Sequence, residues 1–386
     1  MKYPCNCLKF VWRQSEFAFF GAATSVAALF ILYSFLGGKE MRKLMLFILV
    51  LSLCVGVFSA CNANKEPEPT EGLAYYPLGN DEYGVMCGDA KYANDIVIAS
   101  KYEGKPVTKI LPDAFKDLTT LNSIYIPDSI SIIAEGAFSG CVNLKKLSIP
   151  DSVQTIAPDA FYGCVGLTDV TTSANHIRYI HKQNLTNITI TSGSINSTAS
   201  YGTGFSGCEK LVSVTIKKDV TNIGFNAFSG CDRLLDLTIE DGVQNIGNGA
   251  FSRCSSLAEV TLPDSITSIG EAAFSGCSSL TKITLPNNIT AINTSTFMNC
   301  SALTDINIPN GVTVIDASAF CNCTNLKSVV IPDSVTKIEY MAFKGCTALE
   351  TIYYTGSETE WNNMHINGGN DHLVGITVIF NYVPKK

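Results

Sequence analysis

Apolar residues recur in this chain with a period of 23 residues, and the pattern inside each period is that of a short β-strand. The repeating unit is L-x-x-I-x-I-P-x-x-V-x-x-I-x-x-x-A-F-x-x-C-x-x. Its first six positions alternate apolar residues with polar or small ones, as a strand with one buried face requires. Proline then ends the strand, because it lacks the N–H that a continuing ladder needs. Six copies have this proline: Pro127, Pro150, Pro263, Pro286, Pro309 and Pro332.

The rest of the unit returns the chain to its starting side. The V-x-x-I piece predicts a second short extended segment, and A-F-x-x-C predicts a turn in which Phe fills the space between coils. Because each copy packs only on its neighbours, 386 residues can form one elongated domain. The pattern predicts a β-rich solenoid of about ten stacked 23-residue coils over 107–350, with a small β cap at 73–106 and an α/β cap at 351–386.

Two consecutive coils depart from the pattern. Cys164 and Cys208 are 44 residues apart, where two regular copies would take 46, so 167–205 is expected to be an irregular pair of coils. Inserts of this kind often carry binding residues, although relaxed packing in a duplicated gene predicts the same irregularity. The candidate binding residues that collect here are His176, Arg178, Tyr179, His181 and Tyr201.

Outward positions of the predicted strands form a second candidate surface. They are mixed in sign and lack the clustered aromatic residues of binding hot spots, so binding there is expected to be moderate and polar. The charged candidates are Lys146, Asp236, Glu259, Lys282 and Asp305. A neighbouring row of threonines is expected to support the sheet, since cross-strand Thr pairs are favourable. Its members are Thr215, Thr238, Thr261 and Thr284.

Nine of the fifteen cysteines occupy one slot of the repeat. Leu118 fills that slot in the first copy, so the slot is apolar and its cysteines are expected to be buried, unreactive thiols. A ladder of disulfides between adjacent coils is the alternative. Cys321 lies outside the slot, and Cys321-Asn322-Cys323 alone is a weak metal signal. We therefore expect no metal and no cofactor.

The amino-terminal region predicts export. A basic start at Met41, an apolar run and small residues before Cys61 resemble a bacterial lipoprotein signal at 41–60, which implies lipidation of Cys61. A polar, proline-bearing tether follows at 61–72. Residues 1–40 contain another apolar stretch, from 17 to 36, which is long enough to cross a bilayer. They are expected to be either an untranslated upstream extension or an amino-terminal transmembrane segment.

Composition and charge narrow the classes of function. The chain is 46% hydrophobic and 16% charged, which suits an ordered core, and its net charge is −7 without a basic run. Nucleic acid is therefore not an expected partner. The sequence has only four histidines and no nucleophile elbow, phosphate-binding loop, dinucleotide fingerprint or zinc helix, so we expect no enzyme activity.

The I-P-x-S-V and A-F-x-G-C elements of the unit resemble the BspA-like class of bacterial leucine-rich repeats. The tail from Tyr353 to Trp361 is similar to the usual ending of that class, and the resemblance covers about 73–382. It implies a leucine-rich-repeat solenoid and a surface or secreted protein that adheres to host matrix proteins or other bacteria. The expected protein is a monomeric, exported lipoprotein at the cell surface or outer membrane. Its expected role is protein–protein interaction or adhesion, and its expected partner is an extracellular protein. The alternative is a structural envelope or spacer lipoprotein with no specific ligand.

Overall fold

The computed structural model describes residues 66–196 and 204–384. Residues 68–386 form one compact unit, and of the residues before it only Glu66 and Pro67 are described. The predicted signal segment, Cys61 and both apolar stretches near the amino terminus lie outside the described residues. Among the residues that are described, no helix is long and apolar enough to cross a membrane.

Short strands make up almost all of the regular structure. In chain order they are β1 (Ala74–Gly79), β2 (Glu82–Met86), β3 (Asp95–Val97), β4 (Lys101–Tyr102), β5 (Lys105–Ile110), β6 (Ser123–Tyr125), β7 (Ile132–Ile133), β8 (Lys146–Ser148), β9 (Thr155–Ile156), β10 (Asp169–Thr172), β11 (Asn187–Ile195), β12 (Ser213–Ile223), β13 (Asp236–Ile239), β14 (Asn245–Ile246), β15 (Glu259–Thr261), β16 (Ser268–Ile269), β17 (Lys282–Thr284), β18 (Ala291–Ile292), β19 (Asp305–Asn307), β20 (Val314–Ile315), β21 (Ser328–Ile331), β22 (Lys337–Ile338), β23 (Thr351–Tyr354), β24 (His365–Ile366) and β25 (Thr377–Ile379). Within the described ranges, one α-helix, α1 (Glu358–Asn363), and 3₁₀ turns at Gly88–Tyr92, Ala174–Tyr179 and Asp371–Leu373 complete the regular structure.

The fold is a parallel β-solenoid in which each turn adds one strand to a long sheet, the front sheet. Thirteen strands share this sheet: β3, β6, β8, β10, β11, β12, β13, β15, β17, β19, β21, β23 and β25. They are hydrogen-bonded in three runs, β3 to β13, β15 to β17 and β19 to β25, and the strands beside the two breaks still lie side by side. Ten of them lie within 107–350, and the two end segments supply the other three.

A second set of parallel strands follows the V-x-x-I piece around the solenoid. One run is β2, β5, β7 and β9, another is β12, β14 and β16, and a third is β18, β20, β22 and β24. Each two-residue strand of this set except β24 buries its second residue, for example Ile133 and Ile156. The core is therefore a continuous column of aliphatic side chains between the two sets of strands. At the amino-terminal end, β1 pairs with β2 and β4 with β5 in antiparallel fashion.

The A-F-x-x-C turns hold neighbouring coils together through backbone and ring contacts. The Phe138 N–H donates to the Ala160 carbonyl at 2.7 Å, and the Gly140 N–H donates to the Tyr162 carbonyl at 2.8 Å. Gly140 has φ +77°, a backbone conformation that glycine adopts at little cost. Phenylalanine rings of successive coils stack at centroid distances from 5.1 to 5.9 Å. The stack comprises Phe115, Phe138 and Phe161 and then Phe205, Phe228, Phe251, Phe274, Phe297, Phe320 and Phe343.

The cysteine slot adds a further bond between coils. The Cys254 Sγ lies 3.2 Å from the Phe228 carbonyl of the preceding coil, and the same contact recurs along the column. All cysteines in the described part of the chain are free thiols. Burial raises the pKa of the Cys300 thiol to about 12, so it stays protonated at neutral pH. A protonated thiol is a poor nucleophile, which agrees with the predicted structural role.

Two front strands that lack a proline at the proline slot, β11 and β12, are longer than the others. At Pro150 the front strand β8 has already ended at Ser148, so the chain turns there. Thr191 and Lys217 occupy the same slot in the irregular region, and β11 and β12 continue through the corner into the second set of strands. Their pairing shifts register twice on the way. The absence of proline permits this continuation but does not cause it alone, because β10 and β13 also lack the proline and still end at Thr172 and Ile239.

The carboxy-terminal end is covered by α1 and the segments around it. Ser357 caps α1: its hydroxyl accepts from the Glu360 N–H, and the Glu360 carboxylate accepts from the Ser357 N–H. Such a capping box satisfies two donors that the first helical turn leaves unpaired. Tyr354 is almost fully buried, and its ring packs edge-on against Trp361 and Phe380.

Candidate binding surface

The front sheet presents two outward rows of side chains. The first row follows the register of the strands and is predominantly polar and charged. It consists of Asp95, Ser123, Lys146, Asp169, Asn187, Ser213 and Asp236, followed by Glu259, Lys282, Asp305, Ser328, Thr351 and Thr377. The five charged candidates from the sequence, Lys146, Asp236, Glu259, Lys282 and Asp305, are all exposed here. They lie along one line and do not converge on one point.

The second outward row contains the threonines. Thr215 pairs with Thr238 across β12 and β13, and Thr261 pairs with Thr284 across β15 and β17. These positions lie on the outward face of each strand. The neighbouring hydroxyls therefore fit the predicted support of the sheet, in which cross-strand Thr pairs add stability.

One part of the front sheet is a groove of about 360 Å³, formed by β6, β8, β10 and β11. Its outward lining comes from Ser123, Lys146, Ser148, Asp169, Thr171, Asn187 and Thr189. Of these, the sequence singled out only Lys146. Apart from Asp169, the other members carry small hydroxyl or amide side chains, which are common throughout the repeat. Only the strand register shows that they lie together.

The two charged side chains in this groove, Lys146 and Asp169, differ in whether they already make hydrogen bonds within the protein. Asp169 accepts hydrogen bonds at 2.7 Å from the Thr168 hydroxyl and from the Asn187 amide, one on each carboxylate oxygen. Lys146 is exposed, and its ammonium makes no hydrogen bond or ion pair with any described residue. The groove therefore offers one unengaged ammonium beside a carboxylate that is already bound on both oxygens.

The irregular pair consists of a short coil and a long coil. Asp169 and Asn187, which pair across β10 and β11, are 18 residues apart, and Asn187 and Ser213, which pair across β11 and β12, are 26 apart. The short coil lacks the A-F-x-x-C turn, so the phenylalanine stack is interrupted between Phe161 and Phe205. Hydrogen bonds that this turn supplies elsewhere must be made by other groups.

His176 is buried and makes a bond to the preceding coil that a serine makes in the regular coils. Its Nε2 lies 3.0 Å from the Val153 carbonyl, and its Nδ1 lies 3.0 Å from the Ser173 hydroxyl. Since a carbonyl only accepts, Nε2 carries the proton and Nδ1 accepts from a hydroxyl. In regular coils a serine makes this bond, as Ser265 does to the Val243 carbonyl at 2.9 Å. His176 is 7% exposed, so it is not part of the candidate binding surface.

Burial also governs the protonation of His176. Removal from water lowers the pKa of the imidazole below its usual value, and the hydrogen bond to the Val153 carbonyl opposes that shift. The ring is therefore neutral at neutral pH, consistent with one donor nitrogen and one acceptor nitrogen. This position explains why the coil contains a histidine: its imidazole makes the hydrogen bond to the preceding coil that a serine makes in the regular repeat.

His181 has a similar place in the fold. Its Nε2 accepts from the Gly163 N–H at 3.4 Å. In regular coils the equivalent glycine N–H donates to a backbone carbonyl of the next coil, as Gly230 does to Ser252 at 2.8 Å. The imidazole of half-buried His181 therefore substitutes for the carbonyl of the missing turn.

The remaining residues of this candidate set divide by exposure. Arg178 is exposed and its guanidinium lies over the Tyr179 ring, 4.7 Å from the centroid, while donating to the Tyr179 hydroxyl. Tyr201 lies outside the described residues. The sequence did not single out Lys182, whose Nζ donates to the Gly204 carbonyl at 2.7 Å and lies 5.6 Å from the Phe205 ring. Burial lowers the pKa of this lysine.

The described residues contain no group of three or more histidine, cysteine or carboxylate side chains placed to hold a metal ion. Cys321 and Cys323 are both buried, and burial contributes to the raised pKa of each thiol. The structure brings together hydroxyl, amide, carboxylate and ammonium groups on the open face of the sheet, an arrangement suited to hydrogen bonding with a ligand.

These features define a leucine-rich-repeat solenoid with an open strand face. The model of the BspA type leucine rich repeat region matches in six copies, over residues 94–202, 181–304 and 221–350. These matches extend over more than half of the chain, so the chain belongs to the BspA-type leucine-rich-repeat family. No curated protein matches the sequence.

Solved structures with the same repeat come from several bacteria. A leucine-rich cell surface protein from Faecalibacterium prausnitzii is 29% identical, with 78% of this chain and 98% of that one covered and a TM-score of 0.35. A leucine-rich repeat protein from Bacteroides ovatus is 20% identical, with 82% and 99% covered and a TM-score of 0.39. The family assignment rests on the repeat and not on these superpositions.

Proposed function

We propose that this protein is held at the cell surface and binds an extracellular protein through its front sheet. The observation that carries the proposal is the thirteen-strand sheet with outward rows that the core does not use. Solenoids offer extended faces of this kind to macromolecular partners. The family, and the Faecalibacterium prausnitzii relative described as a leucine-rich cell surface protein, support the same location.

The proposed anchor is a lipid on Cys61. The support is in the sequence: a basic start at Met41, an apolar run, small residues before the cysteine and a polar tether after it. Growth with a radioactive fatty acid tests the anchor. The expected result is label in the native protein and none in Cys61→Ala, and a chain that retains its label after this substitution would contradict the proposal.

The proposed role is adhesion to matrix proteins of a host or to the surface of other cells. The test compares cells that display the full chain with cells that lack it, on surfaces coated with individual matrix proteins. We expect more retained cells on at least one coating, and soluble residues 68–386 should compete with them. A chain that is accessible to protease on intact cells but retains no cells on any coating, and none on other cells, would favour an envelope spacer instead.

A further inference from the structure

The groove between β6 and β11 differs in electrostatic character from the rest of the first outward row. Toward the carboxy terminus the row contains Asp236, Glu259 and Asp305, and Lys282 has Glu259 on one side and Asp305 on the other. A carboxylate approaching Lys282 would therefore meet two acids. Lys146 has Ser123 on one side and Asp169 on the other. Both oxygens of Asp169 already accept hydrogen bonds.

The floor of the groove adds hydrogen-bond donors. Ser148, Thr171 and Thr189 are direct neighbours in register across β8, β10 and β11. Their hydroxyls make no hydrogen bond to any described residue, and Ser148 is exposed. Hydroxyls at the strand spacing of about 4.8 Å can bond to carbonyl oxygens of a chain that crosses the strands.

From this arrangement we infer that the groove binds an acidic, extended segment of a partner polypeptide, with a carboxylate of that segment on Lys146. The segment crosses β8, β10 and β11, and its backbone carbonyls accept from the row of hydroxyls. The unengaged ammonium and the free donors are complementary to a ligand rich in acceptors, whereas the acidic part of the same row repels it. This inference rests on the proposed function and specifies the chemistry of its partner.

Lys282→Ala is a matched control for Lys146→Ala. Both lysines are exposed and occupy the same slot of the repeat, and neither ammonium makes a hydrogen bond or ion pair with any described residue. Since both side chains lie on the surface, neither substitution removes core packing. Lys146→Arg keeps the charge and the donors, so it should retain binding.

The experiment measures binding of a fluorescein-labelled peptide of six Glu-Ser repeats to residues 68–386 by fluorescence anisotropy. The matched peptide has Gln in place of every Glu. We expect saturable binding of the Glu peptide, weakened about tenfold by Lys146→Ala and less than about twofold by Lys282→Ala. We also expect the Gln peptide to bind at least about tenfold more weakly. Salt should weaken the Glu peptide selectively.

Several results would overturn the inference. These are no binding of the Glu peptide at millimolar concentration, equal binding of the Glu and Gln peptides, or equal losses from the two lysine substitutions. Lys146-dependent binding of a uronic acid oligosaccharide without binding of the peptide would assign the groove to a glycan instead. If the Glu peptide fails while residues 68–386 still bind a matrix protein, the inference is wrong and the proposed function stands.

Discussion

The regular coils and the irregular pair hold their neighbours by different means. In the regular coils the same backbone and serine bonds recur every 23 residues, as in the bond from Ser265 to the Val243 carbonyl. In the short coil of the irregular pair, His176 and His181 make the corresponding bonds with their imidazoles, and Lys182 lies where the phenylalanine stack is interrupted. In this coil, side chains that reach a neighbouring coil therefore make the bonds that backbone groups and serines make elsewhere.

This difference changes what unusual residues mean in a repeat protein. Histidines in a surface that is otherwise rich in serine and threonine suggest a ligand site. Here, however, they form hydrogen bonds with backbone groups that the short coil would otherwise leave unpaired. The groove is the opposite case. Its Ser148, Thr171 and Thr189 continue into the row of threonines that begins at Thr215 and are equally ordinary in composition, yet their hydroxyls have no partner among the described residues.

The largest expected effect is on the free energy of unfolding, when a phenylalanine is removed from the continuous part of the stack or from its interrupted part. Phe251 has a ring 5.4 Å away on each side, whereas Phe205 has one ring neighbour at 5.2 Å and Lys182 on the other side. Phe251→Ala should lower the free energy of unfolding by about 3–5 kcal/mol, and Phe205→Ala by less. Urea unfolding of residues 68–386 measures both, and equal losses would contradict the difference between the two regions.

A smaller effect is expected at the histidine that replaces the serine bond. His176→Ala leaves the Val153 carbonyl without its donor and should cost about 1–3 kcal/mol. Ser265→Ala removes the equivalent bond from a regular coil and should cost less, because it deletes a smaller buried group. Thermal unfolding of the two variants tests this order. A His176 variant as stable as the native chain would show that the imidazole does not hold the coils together.

The same histidine should make stability depend on pH. Burial lowers the folded-state pKa of His176 below its ordinary 6.5, so below that pH the unfolded chain binds a proton that the folded chain resists. Its contribution is therefore present above about pH 6.5 and is lost as the pH falls toward the lowered folded pKa. Comparing unfolding at pH 7.5 and 5.5, His176→Gln should reduce the loss of stability on acidification.

The smallest expected effect is on the threonine row. Thr238→Ala removes an outward methyl and hydroxyl that have Thr215 as their cross-strand neighbour. It should change the free energy of unfolding by only a few tenths of a kcal/mol. Chemical denaturation detects such a change, and a loss above about 1 kcal/mol would mean that this row does more than support the sheet.

The repeat made most of the fold predictable, because the spacing of leucine, proline, phenylalanine and cysteine places each strand and turn. Ten coils within 107–350 follow from that spacing alone. The division of the irregular pair into 18 and 26 residues does not, since only pairing across β10, β11 and β12 defines it. For the same reason, the sequence could not show that His176 points inward or that the groove residues meet.

Saturable binding of residues 68–386 to immobilised matrix proteins tests most directly whether the front sheet, and not the irregular coil, contacts the partner. The front variant combines Lys146→Ala with Ser148→Ala, and the coil variant combines Arg178→Ala with Tyr179→Ala. We predict that the front variant weakens binding about tenfold and that the coil variant stays within about twofold of the native chain. Loss of binding in the coil variant with full binding in the front variant would contradict the account.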